Sequence, residues 1–373
     1  MLSVIGIGST NDNITISALE AIKNADVVVG YKKYVESISD ILDGKEIIKK
    51  GMGDEISRVE LGVAKALEGK NVALISSGDP GIFGMANVLF QIISKYDDLE
   101  IKVYPGVTSA TFSASLLGAP LHDFAAISLS DILTPLSEIE RKIRHAAIAD
   151  LVLVIYNPIS KSRKKPFRLF KKILLETINA ETLIGIVDST YTPSKITITT
   201  LKDLNERDVN MSTTLVVGNS MTYKFKFPID SNDFDDSNNR DYMVSPRGYV
   251  VKSKIHPMAK EFYNKFLNGE DILLSNKTCE FYPCHNGENH QCDFCFCPFY
   301  PCGDGSTGGK WIKSKDNNTD IWSCENCSWI HDKKTVEWLR PKIEEILDEI
   351  DDLKSKKKDL LKIRRECIYH TKR

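Results

Sequence analysis

No cysteine occurs among the first 278 of the 373 residues, so whatever chemistry cysteine performs here is confined to the last quarter of the chain. Long apolar runs are also missing, and none approaches the roughly 18–20 residues of a membrane span. Nor is there a surplus of either charge. Lys and Arg total 49 against 51 Asp and Glu, a formal net charge of −2, which removes the global basic footprint of a nucleic-acid-binding protein. The N-terminal MLSVIGIGST passes directly into a strand-like run without a basic n-region or a cleavage site. A secretory signal is therefore not expected, and the protein is expected in the cytoplasm, where closely spaced cysteines bind metal more often than they form disulfides. The remaining composition, 42% hydrophobic and 27% charged, is that of an ordinary soluble chain long enough for two or three domains.

Short apolar runs alternate with helix-length amphipathic segments. LSVIGIG, DVVVGY, NVALISSGDP and IKVYPG have the character of buried parallel strands, and ISALEAIKNA, SRVELGVAKALEG and GMANVLFQIISKY place apolar residues at helical spacing. The alternation resumes at FAAISLS and continues through LVLVIYNP, LIGIVDST, KITITTL and TTLVVGNS. An α/β fold in two layered domains, residues 1–118 and 119–250, divided near LLGAPLHDF, is the expectation. Residues 228–241, PIDSNDFDDSNNRD, are polar and acidic and suggest an exposed loop. Residues 251–270 would link to a cysteine-rich domain at 271–335, followed by a charged helix at 336–373 with Pro341 in its first turn. Ile343, Ile346, Ile350, Leu353 and Leu360 form a rough heptad, which suits packing on its own domain or a coiled coil, and Lys356–Lys358 are expected in solvent.

Glycines cluster where predicted strands end, at Gly6 and Gly8, Gly78 and Gly81, and Gly106. In open α/β sheets ligands bind at these carboxyl ends, where glycine lets backbone N–H groups approach closely. GIGST is not GxGxxG, and Asp26 precedes the second strand instead of ending it, which argues against a nicotinamide cofactor. SSGDPGIFG is the more informative stretch, a turn between strand and helix with several donors and one carboxylate.

Seven segments in order resemble the tetrapyrrole methylase family: GYKKYVESI (30–38), SSGDPGIFGMA (76–86), YPGVTSA (104–110), SLSDILTPLSEIE (128–140), YNPISKSRK (156–164), TTLVVGNS (213–220) and SPRGY (245–249). Within that family they are most similar to the branch that methylates carbon 17 of precorrin-3B or cobalt-factor III. The resemblance spans residues 1–250. It implies two αβα domains with an S-adenosylmethionine (SAM) cleft between them, a corrinoid substrate and a homodimer. It also places cofactor contacts at Gly8 and Ser9, at Ser77, Gly78 and Asp79, at Thr108 and Ser109, and at Tyr156 and Asn157. Two departures stand out: Ser9 and Thr10 replace the Pro-Gly of the family's first loop, and APLHDF is one residue shorter than the family's usual APLxHDF.

Methyl transfer from a sulfonium to a ring carbon is an in-line displacement, in which the enzyme holds the reactants aligned and excludes water. Asp79 would bind the cationic methionine moiety or cap its own turn. The resemblance adds ring contraction, which needs proton movement. His122, Asp123 and Asp131 are the candidate acid–base groups, with a structural hydrogen-bonding role as the other reading of His122. Lys161, Arg163, Lys164 and Lys165 follow a site-forming strand end, as partners for substrate carboxylates or as a solvated basic loop.

Eight of the nine cysteines lie within 279–327, as Cys279/Cys284, then Cys292, Cys295, Cys297 and Cys302, then Cys324/Cys327, with His285, His290 and His331 among them. Such spacings on loops rich in proline and glycine point to metal, and the segment resembles a cysteine-rich small domain. Eight thiolates suit two structural zincs or an Fe-S cluster carrying electrons, which contraction of an oxidised cobalt-factor substrate would require. Cys367, alone near the C-terminus, is expected to be a buried thiol. Another tetrapyrrole methylase with different carbon specificity, or a methylase whose tail is a zinc module recruiting a partner protein, are the competing functions. A nucleic-acid-binding zinc finger is not supported, since the C-x2–4-C…H-x3–5-H pattern is missing.

Overall fold

The computed structural model describes residues 1–93, 99–160, 162–189, 193–228, 239–249, 255, 257–269, 285, 290–313 and 320–371. By contacts the chain divides into two units, residues 1–116 with 187–195 and 212–214, and residues 117–186 with 196–211 and 215–373.

The first unit runs β1 (Leu2–Gly6), α1 (Ile16–Lys23), β2 (Val27–Tyr31), α2 (Lys32–Ser37), β3 (Glu46–Lys50), α3 (Glu55–Leu67), β4 (Val72–Ser76), α4 (Met85–Ile92), β5 (Ile101–Tyr104) and α5 (Ser109–Leu117). Its five strands form one parallel sheet in the order β3-β2-β4-β1-β5. β1 and β4 are buried at every position, while the edges β3 and β5 are partly exposed. Alternate residues serve opposite faces. Leu2, Val4, Val72 and Leu74 pack with Val59 and Val63 of α3, whereas Ile5, Ala73 and Ile75 pack with Ala18 and Ile22 of α1. Two buried faces explain why these strands appear in sequence as unbroken apolar runs. α1 starts where it does because the Thr15 hydroxyl accepts the Ala18 N–H.

The second unit contains β6 (Gly118–Ala119), β7 (Phe124–Ser128), α6 (Leu136–Ile148), β8 (Val152–Tyr156), α7 (Lys165–Thr177), β9 (Leu183–Asp188), β10 (Lys195–Thr200), β11 (Thr213–Val217), β12 (Tyr223–Pro228) and β13 (Asn239–Val244). A five-stranded sheet of order β10-β9-β11-β8-β7 carries a core shared with Ile139 and Ile143 of α6 and with Phe167, Phe170 and Leu174 of α7. β7 and β8 are parallel, and β11 runs antiparallel to β8. β12, β13 and β6 form a small separate sheet. The segment expected to be loop from 228 to 241 thus begins and ends in paired strands.

The tail continues with α8 (Pro257–Leu267), the hairpin β14 (Lys310–Lys313) and β15 (Asp320–Ser323), then α9 (Lys333–Ile346), α10 (Asp352–Ser355) and α11 (Lys357–Thr371). Residues 251–270, expected as a linker, therefore hold a helix whose Tyr263 and Phe266 join the tail core with Phe294, Phe299, Trp322, Leu339, Ile343 and Leu360. The single C-terminal helix expected from the charge pattern is three. Asp332 sets the start of α9 by accepting the N–H groups of Lys334 and Thr335, which leaves Pro341 inside the helix and not in its first turn. Ile343, Leu353 and Leu360 face this intramolecular core, consistent with packing on their own domain. Gly305 lies against the Tyr223 ring of β12, where a Cβ would come within 2.5 Å, and the Tyr369 hydroxyl of α11 donates to the Ile148 carbonyl of α6 at 3.1 Å.

Candidate functional site

In the first unit the carboxyl ends of β1, β4 and β5 close on one another through glycine. A Cβ on Gly6 would meet the Gly78 oxygen at 2.6 Å and the Gly106 nitrogen at 2.8 Å, so no larger residue fits. Gly8 and Gly78 bridge the first two loops through paired backbone bonds, Gly78 N–H to Gly8 O at 2.8 Å and Gly8 N–H to Gly78 O at 3.2 Å. Both residues have positive φ, 74° and 58°. Asp79 spends both carboxylate oxygens on backbone donors, Gly81 N–H at 2.8 Å and Gly106 N–H at 3.1 Å. Of its two expected roles, the turn-tying one is what the geometry displays. The Ser9 hydroxyl donates to the Val107 carbonyl, Thr108 is buried, and Ser77 and Ser109 are half-buried. Seven of the expected cofactor residues thus lie in three adjoining loops of one sheet edge.

In the second unit the ends of β7 and β8 are held by one arginine. Arg163 donates to the Leu129 carbonyl at 2.7 Å and twice to the Asn157 carbonyl at 3.3 Å, and its Nε lies 3.6 Å from Asp131. Asn157 adopts φ 50°, in the left-handed region, and its amide donates to the Ser128 hydroxyl at 3.1 Å. Asparagine tolerates that conformation better than most residues. Arg163 is therefore mostly covered and held by protein groups, which corrects its reading as a solvated side chain. Lys164 and Lys165 are exposed, and Lys161 lies outside the described residues.

His122 is mostly covered, with Nδ1 2.8 Å from the Asp123 backbone nitrogen. The exposed Asp123 carboxylate lies 3.2 Å from the same Nδ1, so this nitrogen meets either the Asp123 N–H or the Asp123 carboxylate according to the ring's tautomer.

In the tail, six of the eight expected metal ligands are described, and Cys279 and Cys284 lie outside the described residues. Cys297, Cys302, Cys324 and Cys327 share one electrostatic neighbourhood. Burial pushes the Cys297 thiol well up and Cys302, Cys327 and Cys324 push it further, while Cys324 is pushed up to about 12 by burial and then by Cys327 and Cys302. Among the described residues no three His, Cys, Asp or Glu side chains close into a group that holds a single metal ion as they stand. Sulfur donors of this kind are soft and, once deprotonated, suit zinc or an Fe-S cluster. His285, His290 and His331 cluster with ring centroids 4.7–6.0 Å apart, two pairs edge-on and one tilted, each with one nitrogen on a backbone carbonyl. Cys367 is buried and its thiol is pushed up to about 12 by burial, as expected for a structural thiol.

The family described as tetrapyrrole (corrin/porphyrin) methylases matches residues 1–205, and a cysteine-rich small domain matches residues 270–354. A protein named probable cobalt-factor III C(17)-methyltransferase from Methanothermobacter thermautotrophicus is 49% identical over 369 residues, covering 99% of both chains. One of the same name from Salmonella typhimurium is 41% identical over 255 residues, which is 67% of this chain but 100% of its own. The crystal structure of the methyltransferase CobJ aligns with a TM-score of 0.58 and 32% identity, covering 66% of this chain and 99% of that one. No helix among the described residues is long and apolar enough to cross a membrane.

Proposed function

The chain belongs to the tetrapyrrole methylases, and on that premise we propose that it is a SAM-dependent methyltransferase of cobalamin biosynthesis, methylating carbon 17 of cobalt-factor III with contraction of the macrocycle. Full-length identity of 49% to a protein of that name, tail included, is the observation that carries this reading. SAM would lie on the loops of Gly8–Ser9, Ser77–Asp79 and Thr108–Ser109, whose close glycine packing brings backbone donors to one place, with Tyr156 and Asn157 as the further contacts. His122, Asp123 and Asp131 are the proposed proton-handling groups, Asp131 oriented by Arg163. The proposed assembly is a homodimer.

Anaerobic incubation with SAM, cobalt-factor III and an added one-electron reductant to supply the electrons that contraction consumes is expected to give a ring-contracted product one methyl group heavier. Transfer to a carbon other than 17 would instead point to the alternative specificity. Arg163→Met is expected to lower kcat on the order of a hundredfold, because it frees Asp131 and the Asn157 loop from their shared anchor. Unchanged turnover in that variant would remove Asp131 from the mechanism.

The thiols of Cys297, Cys302, Cys324 and Cys327 would hold a metal centre. Zinc with Zn–S near 2.3 Å draws four sulfurs tightly round one ion, whereas an iron–sulfur cluster keeps its thiolates apart on several irons. Four thiols serve either centre, and the electron demand of contracting an oxidised substrate favours the cluster. Bound there, it would supply single electrons to a reaction that consumes them. A brown protein with a broad visible band that bleaches on reduction is the expected result for material purified without oxygen. Colourless protein holding zinc would make the tail a structural or recruiting module.

A further inference from the structure

A cavity of about 350 Å³ opens at the end of the second sheet away from Asn157, between the start of β8 and the close of β11. Leu151, Ile178 and Val217 give it an apolar floor, and Asp150, Glu181 and Asn219 are its main polar groups. Helices α6 and α7 both end here, capped by Ala149 and Ile178. A helix C-terminus carries partial negative charge, and neither last turn holds a lysine or arginine to offset it. His145 of α6 is bonded back to the Arg141 carbonyl at 2.8 Å. The backbone alone therefore makes this cavity attractive to a cation.

Asp150 deepens that field. It follows α6 with φ 58°, a left-handed position normally given to glycine or asparagine. Its carboxylate accepts the Ser220 N–H at 3.0 Å and the Ser220 hydroxyl at 2.7 Å, two bonds that fix the group without neutralising it. Among the described residues no cationic side chain pairs with Asp150, whereas Glu181 at the rim is paired with Lys202 at 2.5 Å. A half-buried anion at the negative end of a helix, with no counter-ion, is not an arrangement that folding favours by itself. Asn219 points to an occupant without any charge. It is 9% exposed, and its Oδ1 accepts the Met221 N–H at 3.1 Å and the Thr222 hydroxyl at 3.0 Å. Its Nδ2 has no acceptor among the described residues, and the side chain lines the cavity, so two N–H donors are left for a ligand.

These groups select the chemistry of that ligand. The Asn219 donors would repel a metal ion, and the apolar floor offers it nothing to bind. A protonated amine matches Asp150, an oxygen on the same molecule matches Asn219, and the carbon frame between them matches Leu151 and Val217. We propose that the cavity is a second binding site, for a small organic cation carrying an amine and a hydroxyl or carbonyl oxygen. It lies at the opposite end of β8 from Asn157 and is independent of the methyl-transfer reading.

Tyramine is the probe, with tyrosol as its uncharged counterpart and phenethylamine as the counterpart without oxygen. Calorimetric titration of the full-length protein compares wild type with Asp150→Asn, and thermal melting follows both. Asparagine suits the left-handed position and still accepts from Ser220, so the variant is expected to melt at or above wild type. Tyramine is expected to bind wild type about tenfold more tightly than tyrosol and severalfold more tightly than phenethylamine, and to bind Asp150→Asn about tenfold more weakly than wild type. Equal affinity of tyramine for both proteins, or equal affinity of wild type for tyramine and tyrosol, would overturn recognition by Asp150. No heat from tyramine at millimolar concentration would overturn the site. The comparison of probes on wild type decides the case even where the variant is destabilised.

Discussion

Alanine at Gly106 is expected to abolish SAM binding and to destabilise the first unit by about 3 kcal/mol, the upper end of overpacking costs. The added methyl would overlap the Gly78 carbonyl oxygen and press on the Gly6 backbone, and none of these atoms belongs to a flexible side chain that can swing away. Relief requires parting the ends of β1, β4 and β5, the three loops proposed to bind the cofactor. Gly53→Ala is the control. Gly53 also lies outside strand geometry, with φ 91°, but nothing is within 4 Å of its Cβ position. It should cost only about 1–2 kcal/mol of backbone strain and leave cofactor binding unchanged. Calorimetric titration with SAM reads both variants, and wild-type affinity in Gly106→Ala would sink the assignment of this edge.

The second large effect is expected in the tail. Asp304 and Arg364 are each 2% exposed and joined at 2.6 Å. Asp304→Asn keeps the side-chain oxygen that accepts the Ser306 N–H, but removes the charge and turns the oxygen that accepts from Arg364 into a donor. An arginine left buried without its anion costs about 3–5 kcal/mol, a fall in melting temperature on the order of 10 °C for a unit of this size. All four tryptophans, Trp311, Trp322, Trp329 and Trp338, are in the tail, so fluorescence follows this unfolding without interference from the first unit. A double replacement, Asp304→Leu with Arg364→Met, should recover much of the loss, because an apolar pair of similar volume carries no desolvation penalty. A single variant that melts with wild type would show the pair to be solvated.

The strands of the first sheet were legible because helices cover both faces, which forces continuous apolar residues into β1, β2 and β4. β3, reading EIIKK, escaped notice because an edge strand is half exposed and carries charge. The close approach of the three loops proposed for the cofactor was legible as glycine positions, but the contacts of Asp79 were not, since a carboxylate in a turn looks the same whether it faces a ligand or two amides. Arg163 was seen as a charge and not as the clamp on β7 and β8, because its partners are carbonyls contributed by residues up to 34 positions away. Lys357, expected in solvent, is buried with its Nζ donating to the Tyr300 carbonyl at 2.7 Å, and it was misplaced for a similar reason. Three successive lysines on a helix point in different directions, and only tertiary packing decides which of them is drawn inside. The length of α9 was also hidden, because Pro341 in sequence is a signal for a first turn, while the Asp332 cap fixes the true start.

The seam between tail and methylase has a historical consequence. The Salmonella relative is matched along its whole length by two thirds of this chain, so the catalytic fold exists in nature without the appendage. Here, however, Gly305 is moulded to the Tyr223 ring and α11 reaches back to Ile148. A lineage that trimmed the tail away would bare that ring and lose the Tyr369 contact at Ile148 at once. The fusion thus resists reversal by deletion, because the appended segment now covers surface of the unit it was joined to.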